Sequence, residues 1–67
     1  MNLKKWLVES SETYRAFGAR LGVSRTAVYW WVKGGRRPTI KRCLEIQEQT
    51  GGKVRVEDFY PELKGVL

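Results

Sequence analysis

The sequence predicts an all-α fold, a compact bundle of four to five short helices in a single domain spanning residues 1–67. Three observations carry that expectation. Apolar residues recur three and four positions apart, the spacing that places side chains on one face of a helix. Small polar residues suited to helix starts, and glycines suited to helix ends, bracket these runs. Glu, Gln and Lys populate the stretch 38–50, and these residues favour helix over strand. At 67 residues the chain is near the smallest size that an apolar core alone holds folded, since such a domain buries only about 60% of its unfolded surface.

Asn2 caps a first helix in which Leu3, Trp6 and Leu7 share a face. The segment "ESSET" (9–13) then breaks the period, because Ser and Thr side chains compete for backbone hydrogen bonds. A second helix starts near Ser11 to Thr13, carries Tyr14, Phe17 and Leu21 on one stripe, and stops at Gly22. Ser24 caps a third helix running through Arg25 to about Lys33, with Gly34 and Gly35 as its stop. This helix holds three adjacent aromatic residues, Tyr29, Trp30 and Trp31. Neighbours on a helix lie ~100° apart, so three in a row cannot all face inward. Val28 and Trp31, flanked by Ala27, take the core side. Arg25, Thr26, Tyr29, Trp30 and Lys33 are left on the outer side.

Pro38 pre-sets the backbone for the start of a fourth helix and holds Arg37 extended. Ile40, Cys43 and Leu44 form its apolar stripe, with Glu45 and Glu48 on the wet side, and Cys43 reads as a small core residue. A second reading fits the same stretch. "LEIQEQT" (44–50) and "KVRVED" (53–58) alternate apolar with polar residues around Gly51-Gly52, which would make residues 44–58 the C-terminal β-hairpin of an α+β fold. Propensity favours the helix. "VEDFYPEL" (56–63) closes the fold with one helical turn, Phe59 and Leu63 packing back onto it.

Composition narrows the function. With one cysteine and no histidine, a disulfide framework is impossible, and the commonest general base and metal ligand is missing. No enzyme, metal site, cofactor or small-molecule ligand is expected. No apolar run approaches the ~20 residues that span a bilayer, and "MNLKKWLVESSETY" is too poor in apolar residues for a signal peptide, so a cytoplasmic protein with no membrane partner is expected. The net charge is +6, and its distribution matters more than its size. Eight cations and no acid lie between Thr13 and Arg42, whereas the remainder holds five cations and seven acids. Such segregation is the footprint expected for an anionic polymer, because Lys and Arg displace counterions condensed on phosphates.

Two short helices joined by a glycine turn, the second exposed and cationic, describe a helix-turn-helix over about residues 13–34. "YRAFGARLGVSRTAVYWWVKG" (14–34) resembles the helix-turn-helix of small phage Cro repressors and lambda-repressor-like domains, in its turn "LGVS" and in the apolar Val28 and Trp31. "PTIKRCLEIQEQTGGKVRVEDFYPEL" (38–63) is similar to the tail of the YdaS-type, Cro-like group, whose members are described as antitoxins or transcriptional regulators. Two positions depart from these patterns. Gly18 stands where such motifs usually carry Ala, and Arg55 stands where the group often has a Thr or Ser cap. The resemblance implies a Cro-like phage or prophage repressor bound to operator DNA.

In a docked helix-turn-helix the start of the second helix meets base edges in the major groove. Arg25 and Thr26, then Tyr29 and Trp30 one turn later, are therefore the base-contacting candidates. Phosphate contacts are expected from Thr13, Tyr14 and Arg15 at the start of the second helix, from Ser24 at the start of the third, and from Lys33, Arg36 and Arg37 beyond it. One recognition helix reads few base pairs, so a homodimer on a palindromic double-stranded operator is expected, with Phe59, Leu63, Val66 and Leu67 as dimer candidates. Two rivals belong to other classes: an antitoxin that binds a toxin and represses its own operon, and a basic amphipathic protein resting on anionic membrane. RNA fits the third helix less well, because the deep, narrow A-form groove excludes it.

Overall fold

In the computed structural model, which describes residues 1–65, five α-helices and a closing 3₁₀ turn follow one another. They are α1 (Leu3–Glu9), α2 (Tyr14–Leu21), α3 (Arg25–Lys33), α4 (Ile40–Gln49), α5 (Val56–Phe59) and the 3₁₀ turn Pro61–Leu63. Local chemistry sets the first four starts. A side-chain oxygen accepts a free amide of the first turn in each: Asn2 Oδ1 from Lys5 N at 2.8 Å, Thr13 Oγ1 from Ala16 N at 3.0 Å, Ser24 Oγ from Ala27 N at 3.3 Å and Thr39 Oγ1 from Arg42 N at 3.2 Å. Helices α2 and α3 end on Gly22 and Gly34, both left-handed with φ of 72° and 82°, a conformation glycine adopts without steric cost.

The core collects one stripe from each helix. Leu3, Trp6 and Leu7 of α1, Phe17 and Leu21 of α2, Val28 of α3 and Ile46 of α4 meet Val54 behind the α4–α5 turn. The rings of Trp6 and Phe17 lie 5.5 Å apart at 55°, a tilted aromatic contact. Phe17, Val28, Ile46 and Val54 are fully buried, each contributing about 1.5–3 kcal/mol of apolar burial. Tyr14, Val23, Trp31, Val32 and Phe59 pack around the edge. Trp31, expected in the core, is half-buried at this edge.

Three expectations for the second half are corrected. The α4 stripe is Cys43, Ile46 and Thr50, not Ile40, Cys43 and Leu44. The helix turns its Cys43–Ile46 side to the core, which leaves Ile40 and Leu44 43% and 54% exposed. Pro38 does not occupy the first helical turn; Thr39 caps α4, and the buried Pro38 precedes the cap. The hairpin alternative fails, because residues 40–49 are helical and no strand occurs among the described residues. The alternation in "KVRVED" is nevertheless real. Val54 and Val56 are both buried, flanking an extended, exposed Arg55 where the chain approaches the core again after α4. Buried Thr50 holds that approach, its hydroxyl donating to Ile46 O at 2.9 Å and accepting from Val54 N at 3.0 Å. Arg55 offers no capping oxygen, and the Asp58 carboxylate instead accepts the Arg55 N–H at 2.7 Å.

Candidate nucleic-acid interface

The site is built by the turn between α2 and α3. After left-handed Gly22, Val23 N donates back to Gly18 O at 2.9 Å and folds the chain sharply onto α2. The turn sits so close that a Cβ on Gly18 would lie 2.7 Å from Val23 O and 3.2 Å from Ser24 O. Both are backbone atoms with little freedom to move. Gly18 therefore lets the turn approach more closely than the alanine usual at this position would allow.

With Val28 fully buried and Ala27, Trp31 and Val32 half-buried, α3 presents Arg25, Thr26, Tyr29, Trp30 and Lys33 to solvent. Its first half forms one wall of an open cleft of about 980 Å³. Ser24, Arg25, Thr26 and Tyr29 line that wall, and Thr13, Tyr14 and Arg15 line the opposite wall from α2. Seven of the residues expected to meet bases or phosphates thus share one cleft. One aromatic contact crosses it, Tyr14 and Tyr29 meeting edge-on at 6.4 Å; along α3 itself Tyr29 also meets Trp30 edge-on at 5.3 Å, and Lys33 Nζ sits 5.7 Å from the Tyr29 ring.

Trp30 faces a second hollow of about 460 Å³ on the other side of α3, with Arg36, Arg37, Thr39 and Arg42. Its ring lies over the glycine turn. A Cβ on Gly35 would come 2.6 Å from the indole, so this glycine makes room for the ring. Sequence reasoning did not foresee this hollow, since Thr39 and Arg42 reach it only through the path of the loop.

Ion pairing divides the eight cations of the acid-free stretch. Arg20 holds Glu12 through two contacts of 2.6 and 3.0 Å. Arg42 donates to Glu45 and to the carbonyl of Leu21, both at 2.8 Å, tying α4 to the C-terminal end of α2. There the guanidinium also answers the negative end of the helix dipole. Arg37 pairs with Glu62 at 2.8 Å, donates to Phe59 O at 3.3 Å and lies over the Tyr60 ring at 4.2 Å, while Tyr60 donates to Pro38 O at 2.7 Å. Arg15, Arg25, Lys33, Arg36 and Lys41 have no ion-pair partner among the described residues, and all are exposed.

Two titrations follow from this packing. Burial pushes the Cys43 thiol from 9.0 up to about 11, and the nearby Arg37 charge acts in the opposite direction. The Glu62 carboxyl is held below its ordinary range, first by a backbone N–H bond and then by the Arg37 guanidinium. Of the dimer candidates, Phe59 and Leu63 are half-buried, Phe59 against the core. Val66 and Leu67 lie outside the described residues. Among the described residues, no helix is long and apolar enough to cross a membrane.

A short helix pair closed by a glycine turn, with the second helix exposed on its cationic side, is a helix-turn-helix fold. Over 48 residues, 72% of this chain, the sequence is 38% identical to a protein of Escherichia coli (strain K12) described as "Putative transcriptional regulator YdaS". The matched stretch is 49% of that protein, so the chain spans about half the length of the relative it matches. No family model matches the chain, and no solved structure does.

Proposed function

We propose that this chain is a sequence-specific double-stranded DNA-binding transcriptional regulator, a Cro-like phage or prophage repressor that acts in the cytoplasm by occupying an operator rather than by catalysis. One observation carries the reading: α3 exposes Arg25, Thr26, Tyr29 and Trp30 beside cations that have no acidic partner among the described residues. Likeness to a transcriptional regulator supports it.

In this reading α3 enters the major groove. Arg25 donates two hydrogen bonds to guanine O6 and N7, a pairing worth about 1–3 kcal/mol of discrimination, and Thr26 offers a hydroxyl or methyl to its neighbour. Tyr29 reaches the next base or its phosphate, and Trp30 packs on thymine methyls or sugars. Around this reading edge, Arg15, Lys33 and Arg36 neutralise phosphates. Thr13 and Ser24 each accept a helix amide through oxygen, which leaves the hydroxyl proton to donate to a phosphate. Tyr14 closes the cleft wall beside them. We leave Arg37 out of this set because Glu62 already matches its charge. Two copies on half-sites about 34 Å apart, one helical turn of DNA, supply the length of sequence that a single helix cannot read.

Selecting bound duplexes from a random pool tests the proposal. The expected result is a palindromic consensus whose half-sites lie one turn apart. Recovery with no consensus, or no binding even at low ionic strength, would overturn it.

A further inference from the structure

The outer face of α4 has no use in the fold or in the proposed groove contact. Ile40, Lys41, Leu44 and Glu48 fall at i, i+1, i+4 and i+8, all exposed and opposite the buried Cys43, Ile46 and Thr50. Leu44 and Ile40 are the large apolar groups on this face, 54% and 43% exposed. Its charges run against the helix. Lys41 and Arg42 occupy the first turn, Glu45 and Glu48 follow, and the helix has no acid in its first turn and no base in its last. Cations are disfavoured at a helix N-terminus and anions at its C-terminus. Arg42 and Glu45 neutralise each other at 2.8 Å. Lys41 and Glu48 have no ion-pair partner among the described residues, and at seven residues' separation they stand about 10 Å apart along the axis, too far to meet within one molecule.

We propose that this face binds a second copy of the chain, with the two α4 helices antiparallel across a two-fold axis passing between Leu44 and Glu45. That register sets Lys41 of each copy opposite Glu48 of the other, twice by symmetry. It buries Leu44 against its mate and turns each unfavourable helix end toward its opposite. Self-complementarity of this kind is what a two-fold interface requires. One pair of ten-residue helices falls short of the ~1,200 Å² that stable interfaces bury, so free copies associate weakly. Adjacent half-sites raise their effective concentration. The dimer's role on an operator rests on the DNA-binding reading, but the association does not.

Sedimentation equilibrium of the full chain without DNA, up to about 1 mM, reads this directly. The wild type is expected to show a monomer–dimer equilibrium. Leu44→Glu abolishes it, and Lys41→Glu or Glu48→Lys alone weakens it by about tenfold or more, since like charges then face each other. Mixing these two single variants restores association as heterodimers, and the double variant K41E/E48K associates like the wild type. Circular dichroism confirms that each variant is folded. A monomeric wild type at the highest concentration overturns the proposal, as does failure of the folded K41E and E48K proteins to associate when mixed. If Lys41→Glu weakens only DNA binding, Lys41 is a phosphate contact and the proposal fails. Intact association without DNA binding refutes the functional reading alone.

Discussion

The cations of one acid-free stretch meet two fates. On the α2–α3 side, Arg15, Arg25 and Lys33 point into solvent without an acidic partner among the described residues. On the α4 and C-terminal side, Arg37 and Arg42 are engaged by Glu62, Glu45 and backbone carbonyls, Arg37 at the surface and Arg42 half-buried. Residue type is similar in both sets, yet one is engaged within the fold and the other has no acidic partner among the described residues and is open to a ligand. A basic patch therefore becomes informative only after its internal ion pairs are subtracted.

Breaking the scaffold under the exposed set has the largest expected effect. Gly18→Ala places a methyl against Val23 O and Ser24 O, and overpacking of this kind costs about 1–3 kcal/mol, partly offset by the ~0.5–1 kcal/mol that alanine gains in a helix. Thermal unfolding should fall by several degrees, since a domain of this size loses roughly 4–8 °C per kcal/mol. An unchanged or raised midpoint would mean that the turn relaxes freely.

The sharpest contrast comes from two arginines. Arg25→Ala should leave the unfolding midpoint within error and cost about 1–3 kcal/mol of preference at one base pair. Arg42→Ala should do the opposite, lowering stability by about 1–2 kcal/mol through its lost bonds while leaving sequence preference intact. If both variants shifted stability alone, or preference alone, the division would be wrong. A salt titration extends the comparison. Removing Arg15, Lys33 or Arg36 should reduce the slope of log affinity against log salt by about 0.9 each, as for one phosphate contact; removing Arg37 should leave it unchanged.

Smaller effects lie on the buried side. Because the folded Cys43 thiol titrates near 11 and its ordinary value is 9.0, the unfolded chain ionises first. Its contribution is intact below pH 9 and is lost as the pH climbs through the folded value. The stability of Cys43→Ala should decline less steeply than wild type across that interval. The smallest change is Ser11→Gly. Ser11 is the non-glycine residue found at positive φ among the described residues, 53°, and relief of that conformation should raise stability by less than about 1 kcal/mol, the gain reduced by the added freedom of the unfolded chain.

The sequence made the first half of the fold legible because each boundary there is a local event. Asn2, Ser24, Gly22 and Gly34 cap or stop helices through their own short-range chemistry, and the outer face of α3 follows from its period once Val28 is placed inside. The second half depends on distant partners. Ile46 of α4 joins a core shared with Phe17, Val28 and the distant Val54, so the helix is rolled by tertiary contacts that its own period does not show, and Ile40 and Leu44 of the expected stripe are exposed. The pairing of Arg37 with Glu62 spans 25 residues, a separation at which pattern carries no signal, so the place of Arg37 beyond α3 alone does not reveal it. Gly18 was visible as a departure from the usual alanine. That its place is crowded by carbonyl oxygens depended on the turn's position in space.

The three tryptophans sit at three depths: Trp6 inside the core, Trp31 half-buried at its edge, and Trp30 44% exposed over the Gly35 turn. The chain thereby carries intrinsic fluorophores with separate duties. Indole emission from Trp6 moves to longer wavelength as the protein melts, whereas emission from Trp30 responds to whatever covers the outside of α3. Versions retaining one indole at a time, the others replaced by Phe, would let folding and ligand occupancy be followed in the same cuvette without an added label.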